Sequence, residues 1–153
     1  MYFSDSSNMD TTSQKLISVF SAANNLIDSE KFNTERTRLQ NKDVMSILRE
    51  ELVRIRFDVS RTGRKYSIDN VFSANYNYVV SAYNKEEKYV LQVEAGRGIM
   101  NNEYVKDYLE ACLMTNVDYL CIAVKNIYLS NNDFTTACDF LEWFIIVTES
   151  IFR

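Results

Sequence analysis

The chain has 153 residues, 46% hydrophobic and 25% charged, with a net charge of −4, which suits one domain spanning 1–153 and is too little for two comfortable cores. Histidine is absent and Cys112, Cys121 and Cys138 form no CxxC pair, so Ser-His and Cys-His nucleophiles, thiol redox motifs and zinc ribbons are excluded. No apolar run approaches the roughly 18 residues of a membrane span, and the polar, acidic start MYFSDSSNMD is unlike a secretory leader; a cytoplasmic protein without membrane contact is expected.

Residues 1–10 are polar and expected to fray. Asp10 followed by TTSQKLISVFSAANNLI reads as a cap and a helix, with Leu16, Val19, Phe20, Ala23 and Ile27 on one stripe. The polar, charged stretch 28–41 reads as a link. A second helix is predicted over about 42–55, with Val44, Leu48, Leu52 and Ile55 on one face. Its acids Glu50 and Glu51 stand near Arg49 and Arg54, so surface ion pairing is their default reading.

The period then changes. Phe57 and Val59 begin a short strand, and RTGRK at 61–65 is a basic turn. SIDNVF and NYNYVVSAY supply the β-branched and aromatic residues of further strands. Asn84-Lys85-Glu86-Glu87 reads as a hairpin turn into a strand at 88–94. A helix follows at about 102–116, with Val105, Tyr108, Leu109, Cys112 and Leu113 at helical spacing. DYLCIAV at 118–124 is almost unbroken in its apolarity, as in a strand covered on both faces. Strand, helix and strand form a β-α-β unit, which makes the two strands parallel. Asp133 is a candidate cap for a last helix, and its aromatics Phe140, Trp143 and Phe144 suggest core packing or a homodimer contact. The expected class is α/β, in the order α-α-β-β-β-α-β-α.

Without histidine, an enzyme here depends on carboxylates, lysine, tyrosine and a hard metal ion. Charge is unevenly spread. Residues 31–66 hold ten bases and five acids, a balance of +5, whereas 67–153 hold six bases and twelve acids. A basic middle segment can touch a phosphate backbone, and chance clustering explains it about as well.

From about residue 76 to 128, VVSAY, then VLQVEAGRG, then NNEYVKDYLEACLMTNVDYLCIAV and NIY resemble bacterial proteins of the PD-(D/E)XK restriction-endonuclease-like superfamily. That family shows an aspartate in a strand such as VDAY, then LEVEAGRG, then a helix and a VDYL strand. The resemblance implies a mixed sheet flanked by helices and Mg2+-dependent cleavage of DNA. Carboxylates there hold the metal, which supplies hydroxide and offsets charge on the scissile phosphate.

Transferred residue by residue, the resemblance puts Ser81 at the aspartate position, Gln92 at the first glutamate and Glu94 at the second. Residues two apart on a strand share a face, so Gln92 and Glu94 have the required spacing. Only Glu94 is an acid. Asp69, Glu50 or Glu51 are candidates to complete a metal site; the plainer reading gives Asp69 to a turn and the two glutamates to solvent. Arg97 is a phosphate contact or a structural partner of Glu94. Lys106, in the helix after the Gly96–Gly98 turn, is a phosphate contact or a solvated lysine. With Arg61, Arg64 and Lys65, these two outline the expected DNA surface. Three functions stay open: a degenerate nuclease-fold protein that binds DNA or protein weakly without robust cleavage, an active Mg2+-dependent DNase, and a purely protein-binding or structural module.

Overall fold

The computed structural model describes residues 10–27, 40–60, 66–68, 78–95, 101–125 and 132–151. The expected fraying of the N-terminal residues, the link after Ile27, the 61–65 turn and the Gly96–Gly98 turn lie outside the described residues. The described residues form four helices and six strands: α1 (Thr11–Ile27), α2 (Asn41–Arg54), β1 (Asp58–Val59), β2 (Tyr66–Ile68), β3 (Tyr78–Val80), β4 (Ala82–Asn84), β5 (Tyr89–Glu94), α3 (Glu103–Leu113), β6 (Tyr119–Val124) and α4 (Asp133–Ile151). No helix among the described residues is long and apolar enough to cross a membrane.

Helix α1 starts where Asp10 predicts. The Asp10 carboxylate accepts the amides of Thr12 and Ser13, both at 2.9 Å, filling two of the donors that a helix start leaves open. Burial pushes its pKa up, but the hydrogen bonds from Ser13 and Thr12 bring it below the usual carboxyl value. The Ser13 hydroxyl also donates to Asp10 and lies 2.7 Å from the Tyr89 hydroxyl. With the Ser13 proton used on Asp10, Tyr89 is the donor in that second bond. This chain fastens the start of α1 to the start of β5. Burial raises the Tyr89 pKa to about 12, with the Ser13 bond opposing.

Helix α2 buries Val44, Met45, Leu48 and Leu52 against Leu16, Val19 and Ala23 of α1, as the three- and four-residue spacings predict. Its C-terminus is less orthodox. The Arg56 amide donates to Val53 O and the Phe57 amide to Leu52 O. This pair of bonds closes a helix through a left-handed residue, and Arg56 takes that conformation at φ 69°. Phe57 then enters the same core as Leu52.

The main sheet has the order β1-β4-β5-β6. Strand β4 is antiparallel to β1 and β5, while β5 and β6 are parallel from Tyr89↔Tyr119 to Glu94↔Val124. The parallel pair joined by α3 is the unit read from the sequence. Alternate residues divide the core. Tyr89, Leu91 and Val93, with Cys121 and Ala123, pack beneath α1 and α2. On the other face, Val90 and Leu120 join Tyr78, Val80, Tyr83 and Met114. There too, Ile122 and Val124 meet Tyr104 of α3 and Ala137 and Leu141 of α4.

Three expectations are corrected. First, NYNYVVSAY, described from Tyr78 onward, is not one strand. It breaks at Ser81, so that β3 pairs with β2 in a separate two-stranded sheet and β4 pairs with β1 and β5. Second, the buried face of α3 is Tyr104, Asp107 and Ala111, whereas Cys112 is exposed and Leu109 and Leu113 are 46% and 57% exposed. The stripe read from the sequence divides: Val105 and Tyr108 pack against the core beside Tyr104, while Leu109, Cys112 and Leu113 are turned outward. Third, among the described strands β6 lies at an edge of the main sheet, a place its apolar run did not announce. Helices cover its two faces, which explains its apolar sequence, but a covered face says nothing about a covered edge.

Candidate functional site

Ser81 stands between β3 and β4, and Gln92 and Glu94 belong to β5, the strand beside β4. All three are buried, at 2%, 1% and 7% exposure. Ser81 and Gln92 are in direct contact. The Ser81 hydroxyl donates to Gln92 Oε1 at 3.3 Å. The Ser81 amide is shared between that oxygen, at 3.1 Å, and Leu91 O. Gln92 Nε2 donates to Val79 O at 3.0 Å, and the Val93 amide donates to Ser81 Oγ at 3.0 Å.

The reason for this network is local. Where β3 turns toward β2, the ladder with β5 is interrupted, and backbone groups there need other partners. The Ser81 hydroxyl takes the place of a strand carbonyl for Val93. The Gln92 amide reaches across to the Val79 carbonyl. A hydroxyl and a primary amide together supply donors and acceptors in both directions, which two carboxylates at the same positions would not.

Glu94 closes β5. Its Oε2 accepts from Asn41 Nδ2 at 3.4 Å, and the amide of the next residue, Ala95, donates to Asn41 Oδ1 at 2.7 Å. The first residue of α2 thus grips the end of β5. Asn41 was not singled out in the sequence, where it reads as one more polar residue before a helix; only the fold brings it to Glu94.

Lys106 is 65% exposed and stands between two acids of its own helix, Glu103 at 3.8 Å and Glu110 at 3.9 Å. Its neighbour Asp107 is buried at 3%, so the basic-acidic pair splits between solvent and core. Of the alternative acids, Glu51 forms a surface pair with Arg54 at 2.8 Å and Glu50 is exposed. Asp69, Arg61, Arg64, Lys65 and Arg97 lie outside the described residues.

Asp133, read as a cap, is instead the first residue of α4. It is buried, its Oδ1 has no hydrogen-bond partner among the described residues, and burial raises its pKa while Lys125 opposes. Phe140 meets Tyr104 edge-to-face at 5.6 Å, inside the protein. The side chains of Trp143 and Phe144 lie outside the described residues.

Among the described residues, no group of three or more carboxylate or cysteine side chains could hold a metal ion. Ser81, Gln92 and Glu94 offer one carboxylate between them, and that donor set does not fit a catalytic Mg2+, a hard cation that favours several charged oxygens. The class that fold and site define is an α/β protein with a mixed four-stranded sheet and a buried neutral hydrogen-bond network at its centre. No protein-family model matches the sequence, and no curated protein or solved structure matches it significantly.

Proposed function

We propose that the chain is a degenerate nuclease-fold protein of the PD-(D/E)XK type, which binds DNA weakly without robust cleavage. The single observation that carries this reading is the hydrogen bonding between Ser81 and Gln92. These are the two positions at which the resemblance expects metal-binding carboxylates. A neutral pair that satisfies itself, Val79 and Val93 leaves no negative charge there for a divalent cation. The mixed sheet with helices on both faces is compatible with the implied architecture, and Gln92 and Glu94 keep the two-residue spacing. DNA is the partner the resemblance implies, with Arg61, Arg64, Lys65 and Arg97 as phosphate contacts and Lys106 the weaker member, since two acids already neutralise it.

The test pairs cleavage with binding. Wild-type protein incubated with circular and linear DNA in Mg2+ or Mn2+ is expected to leave both intact. Cleavage abolished by Glu94→Ala would instead make the chain an active DNase. Calorimetric Mn2+ titration of the Ser81→Asp/Gln92→Glu double variant is expected to give binding that wild type lacks. Fluorescence anisotropy with duplex DNA at low and high salt then tests the surface. Affinity should fall as salt rises and be lost when Arg61, Arg64 and Lys65 become alanine. No binding at low salt, or equal binding by both proteins, would count against this surface.

A further inference from the structure

Asp10, Ser13 and Tyr89 form a chain of side chains with one direction. Asp10 Oδ1 accepts the backbone amides of Thr12 and Ser13, and Oδ2 accepts the Ser13 hydroxyl. Ser13 Oγ, its own proton used, accepts from the Tyr89 hydroxyl at 2.7 Å. The donors thus run from β5 through α1 to an exposed carboxylate. Each of these contacts brings a proton to Asp10 or to Ser13, an arrangement that suits the ionised acid. Around this corner β5 presents Tyr89 and β6 presents Tyr119 and Cys121, two phenols and a thiol. Helix α1 carries one charge, the exposed Lys15, and α2 meets it through apolar side chains.

We propose that this chain is a pH-sensitive clasp: with Asp10 ionised it fastens the first turns of α1 to β5, and a proton on Asp10 reverses it and lets them go. A proton added at Oδ2 makes Asp10 a donor where it was an acceptor. Ser13 Oγ must then accept from Asp10 and turn its own proton toward the Tyr89 oxygen. The phenol thereby loses its acceptor. Tyr89 is buried, with Tyr119 stacked on its ring at 5.3 Å and Phe57 edge-on at 6.1 Å, and these rings offer its proton nothing as good as an oxygen. A buried hydroxyl without a partner is costly, and separation of Ser13 from Tyr89 removes the conflict. Burial pushes the Asp10 pKa up, but the hydrogen bonds from Ser13 and Thr12 bring it below the ordinary 3.8. The clasp is therefore complete above that value and is lost as pH falls through the lower, folded one. Its opening uncovers Cys121, which packs beneath α1 and whose thiol burial pushes up to about 12.

Cys121 reports the opening in a Cys112→Ser/Cys138→Ser background, through its rate of exchange with dithiodipyridine, a disulfide that reacts with thiols in acid as well as at neutral pH. Each rate is divided by that of the unfolded chain at the same pH. Asp10→Asn keeps both amide contacts through its carbonyl oxygen and puts a donor where Oδ2 was, so it imitates the protonated acid without acid. The normalised rate is expected to rise about five- to tenfold between neutral pH and about pH 3. In Asp10→Asn it should already be raised at neutral pH. In a Tyr89→Phe background, where no phenol is left to strand, neither acid nor Asp10→Asn should change it much. Far-UV circular dichroism follows the fold throughout. No rise in acid, an Asp10→Asn protein that reacts like its parent, an Asp10→Asn effect undiminished by Tyr89→Phe, or acid reactivity that appears only with loss of the circular dichroism signal would each overturn the proposal.

Discussion

Gln92 uses its side-chain amide in both directions, and that is why its identity matters more than its polarity. Oε1 receives the Ser81 amide and hydroxyl, while Nε2 serves the Val79 carbonyl. A glutamate would lose the donor; a leucine would lose everything but the volume. Gln92→Leu is therefore expected to destabilise the fold by about 1–3 kcal/mol, since it strands buried polar groups on the neighbouring strand. Urea denaturation checks this, and a loss below about 0.5 kcal/mol would mean that Ser81 and Val79 find other partners. The two-residue alternation of Gln92 and Glu94 was readable from the sequence. Ser81 and Gln92 entered one candidate site only through the resemblance. Their mutual hydrogen bonds were not readable, because they depend on a strand leaving the sheet at Ser81, and no proline or glycine marks that place.

At the scale of the element, the cap made the start of α1 legible and the apolar spacing made α2 legible, but the way α2 ends was not. Asp10 announces α1 by its short acidic side chain before the first apolar turn. The end of α2 carries no such sign. Its left-handed position is occupied by Arg56, a residue with a Cβ that this conformation disfavours by roughly 1–2 kcal/mol, held there by Leu52 and Phe57 in the core and by an exposed ion pair with Glu86 at 2.7 Å. Arg56→Gly should raise stability by about 0.5–1 kcal/mol, the relief of the Cβ being partly offset by the greater freedom of glycine when unfolded. Thermal and urea melts of the two proteins check this, and an unchanged or lowered midpoint would show that the exposed pair with Glu86 outweighs the backbone term. Helix α3 shows the opposite limit of sequence reading. Its leucines and cysteine lie at helical spacing, yet Tyr104 takes the core against Ala137 and Leu141, and Ala111 is buried while the leucines are exposed.

Across the whole molecule, the α/β class and the parallel β5–β6 pair followed from one apolar strand, one helical period and a second apolar strand in succession. The place of β6 in the sheet did not follow, since hydrophobic patterning records which faces are covered and is silent about edges. The same holds for long-range grips such as Asn41 on Ala95, which join residues 54 positions apart. Those grips give β5 an unusual situation. The start of α1 holds one end of the strand through Ser13 and Tyr89, and the start of α2 holds the other through Asn41. Between them every residue of β5 is buried and both edges are paired. The strand cannot fray from either tip, and it cannot be released until both helices and both neighbouring strands have let go. Its amides should therefore exchange with solvent only through global unfolding, at the full unfolding free energy, while those of β1 open locally. Native-state hydrogen exchange under rising denaturant resolves the two. A β5 amide that exchanges with no dependence on denaturant would show a path of local opening and break this ordering. If the ordering holds, β5 is the last part of the molecule to be lost, and the region around Glu94 keeps its shape in partly opened forms that have already shed the edge of the sheet.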